Sequence, residues 1–164
     1  MDARWSDFYV TIGGASAALT GLLFVAVALR PREIRLSPLM LGRARSAFYG
    51  FTTVVLVALL ALAGTASRWV GLAQLAVVAV VLTFSMPFTL AAWRARSLNY
   101  RRAFVYHVGL ALVAVAGILR LIRGVRPHVE ALLGTGVLLL LAIALSNSWQ
   151  LVISHQADDD AEPT

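Results

Sequence analysis

Thr83, Ser85 and Thr89 surround Pro87, His107 follows the pair Arg101 and Arg102, and Asn147 lies inside the polar run 146–150. Polar side chains thus gather toward one end of several long apolar stretches. Their types allow hydrogen bonding and little else. Pro87 cannot donate to the carbonyl of Thr83, so that oxygen needs a hydroxyl or a water. His107 is the one imidazole inside an apolar stretch, and histidine titrates near neutral pH. Together Thr83, Ser85, Pro87, His107 and Asn147 are candidates for a hydrated vestibule. A kinked helix with interhelical hydrogen bonds, each about 1 kcal/mol in lipid, accounts for the same residues and is the preferred reading.

Harder chemistry has no residues to run on. There is no cysteine, which removes thiolate nucleophiles and cysteine-held metals. No two of the three histidines have metal-ligand spacing, no Ser-His-Asp arrangement is visible, and the glycines lie in apolar runs rather than phosphate-binding loops. No catalytic, cofactor-binding or metal-ligating residue is therefore named, and no enzyme is expected. No Asp, Glu, Lys or Arg falls near the middle of an apolar stretch. Proton- or sodium-coupled transport generally uses an intramembrane carboxylate, so that mechanism is disfavoured as well.

The elements that must position these groups are five apolar runs, at 8–29, 44–63, 69–93, 103–121 and 130–153. Each approximates or exceeds the roughly 20 residues that cross a bilayer core as a helix. Hydrophobic residues make up 60% of the chain and charged ones 13%, against roughly 25% charged in soluble domains. The expected fold is an all-α integral membrane protein, a compact bundle of about five transmembrane helices in one domain (1–153). An acidic, disordered tail (154–164) is expected to follow. Arg30-Pro31 ends the first run, and Ser37-Pro38 reads as an N-cap with proline at the first helical position.

All 14 basic residues are arginine. Nine lie between runs one and two or three and four; the other five are Arg4, Arg68, Arg120, Arg123 and Arg126. The positive-inside rule then predicts a bacterial cytoplasmic (inner) membrane protein with its N-terminus outside and its C-terminus in the cytoplasm. Arg94, Arg96, Arg101 and Arg102 are the candidate contacts for anionic lipid headgroups. Repeated around a symmetric oligomer, they would form a ring that favours anions. Nucleic-acid binding is not expected, because the basic charge is split among loops.

The first run carries small residues at regular spacing. Gly13, Ala17 and Gly21 recur every four residues with Ser16 and Thr20 beside them, which predicts close helix packing. Trp5-x-x-Phe8-Tyr9, followed by Gly13-Gly14-Ala15-Ser16-Ala17-Ala18-Leu19-Thr20-Gly21 and Leu22-Leu23-Phe24-Val25-Ala26-Val27, resembles small multi-spanning membrane proteins of unassigned function common in actinobacteria. The resemblance implies a membrane protein whose first helix matters, and no activity, substrate or cofactor. The functional expectation is a homo-oligomeric pore or channel, with anions as the candidate permeant species. The alternative is a non-conducting accessory or scaffold subunit packed against another membrane protein.

Overall fold

Serine and proline set the helix starts in the first half of the chain. The computed structural model describes residues 3–29, 31–63, 68–94, 100–122 and 128–159. Helix α1 (Ala3–Leu29) is followed by a six-residue helix α2 (Pro31–Leu36), then by α3 (Pro38–Leu62). Both prolines stand where a helix needs no backbone donor. Ser37 caps α3 from an extended backbone, its hydroxyl accepting from the Met40 amide at 3.4 Å. Then come α4 (Arg68–Arg94), α5 (Tyr100–Leu121) and α6 (Val129–Asp159). Helix α4 runs through Pro87, and α6 continues six residues past the boundary expected at 153. Five helices are long and apolar enough to cross a membrane, in agreement with the five expected runs.

Four of them close a ring. Helix α3 packs against α4 and α6, and α5 packs against the same two, whereas the backbones of α3 and α5, and of α4 and α6, do not approach each other among the described residues. Across the ring α3 and α5 meet only through side chains, Tyr106 reaching Thr53. Helix α1 lies outside the ring along α3 and touches α6 at its start. The centre is aliphatic. Val54 and Val57 of α3, Val113 of α5 and Leu133, Val137 and Leu140 of α6 form one fully buried cluster.

Apolar burial gives little drive in lipid, so the fit of surfaces holds such helices together. That fit depends on glycine where α5 meets its two neighbours. A Cβ on Gly136 of α6 would stand 2.9 Å from the Gly109 carbonyl oxygen of α5. One on Gly71 of α4 would stand 2.9 Å from the Gly117 carbonyl oxygen. Backbone is the obstacle in both cases, so no rotamer change could make room.

Candidate functional site

The site begins with two charges at the adjoining ends of α5 and α6. Arg120 lies in the last turn of α5 and Glu130 in the first turn of α6. The two helices pack side by side, so residues flanking their connection stand at similar depth. Arg120 Nη2 donates to Glu130 Oε1 at 3.1 Å and to Oε2 at 3.4 Å. The side chains are 3% and 16% exposed respectively.

Two neighbours complete the cluster. Tyr9 of α1 is buried, and its hydroxyl proton faces Glu130 Oε2 at 3.1 Å and the Glu130 carbonyl at 3.3 Å. Gln74 of α4 accepts from Arg120 Nη1 through Oε1 at 3.3 Å, and its Nε2 donates to the Val113 carbonyl at 2.6 Å. The chemistry sets the orientation of this amide, because a flip would turn its NH2 toward the guanidinium. Helices α1, α4, α5 and α6 thus each contribute one side chain. Trp5 and Phe8 cover this end of α6, where a Cβ on Gly134 would meet the Trp5 ring at 2.8 Å.

A charge buried in a spanning segment is costly unless paired, and such residues commonly mark function. Here the cation and anion cancel, and the remaining oxygens have donors. This arrangement can hold four helices in register. It offers no free nucleophile and no metal cage, and no cluster of metal-ligating side chains occurs among the described residues.

The residues singled out from sequence are dispersed. Gly13 faces α3, where an added Cβ would stand 3.0 Å from the Ala58 Cβ. Ala17 and Gly21 are exposed, and the space around Gly14 and Gly21 is open. The face of α1 that packs inward instead carries Tyr9, Ile12, Ser16 and Leu23. Ser16 is fully buried with no partner for its hydroxyl among the described residues, and its carbonyl accepts from Thr20 at 2.8 Å.

Thr83 is exposed and donates to the Ala79 carbonyl of its own helix at 2.9 Å. Ser85 donates to the Leu82 carbonyl at 3.4 Å. His107 is half-buried on α5, edge-on to the neighbouring Tyr106 ring. Asn147 is buried and donates from Nδ2 to Ser46 Oγ at 3.0 Å, joining α6 to α3. Because α4 and α6 do not pack together, Thr83 and Ser85 are not brought to Asn147. Arg96 lies outside the described residues, as do the side chains of Pro87, Arg94, Arg101 and Arg102.

Sequence reasoning missed Tyr9, Gln74, Arg120 and Glu130 as a group. A signal was available: a cation near the end of one apolar run and an anion ten residues later, opening the next. The orientation count groups Arg120 with Arg4, Arg68, Arg123 and Arg126 at one end of the runs and does not pair it with Glu130.

No family model, curated protein or solved structure matches this chain.

Proposed function

We propose that the protein is a non-conducting structural subunit of a bacterial inner-membrane assembly. One observation carries this reading: the outward faces of the spans lack a polar seam among the described residues. The hydroxyls found there are turned back on their own helices. Thr11 donates to the Asp7 carbonyl at 2.7 Å, Thr83 to Ala79 at 2.9 Å and Thr135 to Ala131 at 2.8 Å. A side chain that closes on its own helix needs no water, so it suits lipid or a packed neighbour. The aliphatic centre of the ring supports the same reading, because it leaves a conduction path only between protomers.

The assembly would form on the outward face of α1, with the arginines of the opposite end on anionic headgroups at about 1 kcal/mol each. The orientation proposed is N-terminus outside. Nine arginines lie at one end, against Arg4, Arg68, Arg123, Arg126 and the Glu130-paired Arg120 at the other. Strong periplasmic phosphatase activity from a fusion at Thr164 would reverse that assignment.

The functional test is a pair of measurements on purified protein: its size in mild detergent and its current in planar bilayers under a chloride gradient. The expected result is a defined species without current above background. Reproducible current from an intact homo-oligomer would reinstate the pore. Loss of anion selectivity on neutralising Arg94 with Arg96, or Arg101 with Arg102, would then assign the ring of arginines to its mouth.

A further inference from the structure

A guanidinium carries five N–H donors, and the described residues do not use all of them on Arg120. Nη1 donates to Gln74, and Nη2 serves both oxygens of Glu130. Nε is buried and has no partner among the described residues. Nε and Nη2 together form one edge of the planar fork, shaped for in-plane oxygen acceptors. Glu130 occupies that edge at Nη2 alone.

Among the described residues, the neighbours do not supply the missing acceptor. Gln74 Oε1 is turned to Nη1 and its Nε2 to Val113, while Tyr9 offers its proton to Glu130. A buried N–H with no acceptor is rare, and the usual solution is ordered water. Access exists on one side: Arg120 is 3% exposed, but Glu130 beside it is 16% exposed.

We propose that Arg120 holds one further oxygen at Nε, and that this oxygen belongs to an ordered water entering past Glu130. Charge decides between water and an oxyanion. Arg120 and Glu130 already cancel, so an added anion would bury a net negative charge, whereas water adds none. The cluster is then a hydrated node at the end where α1 begins, separate from the aliphatic cluster at the centre of the ring.

Water-edited solid-state NMR on protein in lipid bilayers, labelled with 15N in arginine and valine, tests this. The Arg120 Nε–H signal is identified by its loss in Arg120→Lys. If that variant does not fold, transfer to the 13C-labelled Glu130 carboxylate identifies it in the unsubstituted protein. Magnetisation from water should reach Nε–H about as fast as it reaches the exposed Arg32 and Arg45 side chains. Build-up as slow as that of the buried Val113 and Val137 amides would mean a protein group fills the position, overturning the proposal. A saturable shift of the signal on adding inorganic phosphate would make an oxyanion the occupant and overturn the assignment to water.

Discussion

The two ends of the bundle are joined by different means. Where α1 begins, Tyr9, Gln74, Arg120 and Glu130 tie four helices through a buried ion pair. Toward the other end of α6, Asn147 and Ser46 tie it to α3 through one neutral hydrogen bond. The difference is in what remains when a partner is lost. Without Asn147, the Ser46 hydroxyl can turn to a carbonyl of its own helix, as the exposed threonines do. Without Glu130, Arg120 keeps its charge and has no carboxylate within its own helix to receive it. One end tolerates loss. The other does not.

The largest expected effect is therefore at the ion pair. Glu130→Ala should lower stability by about 3–5 kcal/mol, the usual penalty for stranding one member of a buried pair. Replacing both members, Arg120→Met with Glu130→Leu, should recover most of that loss, as read by reversible unfolding in mixed micelles. Additive losses would show that packing, not pairing, holds this end.

Next comes the α5–α6 contact. Gly136→Val should destabilise by about 1–3 kcal/mol, because the new atoms meet the Gly109 backbone. A thermal midpoint equal to the unsubstituted protein's would mean the two helices can move apart freely.

Asn147→Leu should have a smaller effect, about 0.6–1 kcal/mol, the worth of one interhelical hydrogen bond in lipid. A loss as large as that of Glu130→Ala would erase the contrast between the ends.

The smallest effect sharpens the reading of α1. In an isolated protomer Gly21→Ala should stabilise by about 0.5–1 kcal/mol, since alanine is the better helix former and the space around Gly21 is open. Loss of stability, or a smaller species on size-exclusion chromatography, would place another helix against that face.

The number of spans was legible because crossing a bilayer demands length and apolarity, both linear properties of the chain. Ser37 and Pro38 were legible for the same reason, since a cap acts on its own next turn. Side-chain direction was less so. Gly13, Ala17 and Gly21 share a spacing, but an α-helix carries such a line obliquely round its axis. Gly13 consequently reaches Ala58 while Gly21 faces outward. The ion pair was half-legible: Arg120 and Glu130 are close enough in sequence to be paired by a hairpin. Gln74 and Tyr9 join them from 46 and 121 residues away, and only the helix order around the ring brings those together.

The hairpin spacing of Arg120 and Glu130 also bears on how the chain is made. Helix α5 leaves the ribosome before α6, so Arg120 is synthesised ahead of the carboxylate that neutralises it. Ten more residues supply Glu130, and the two can enter as a charge-balanced pair after Tyr9 and Gln74 have been synthesised. A nascent chain arrested within those ten residues would present a solitary arginine at the end of its fourth span.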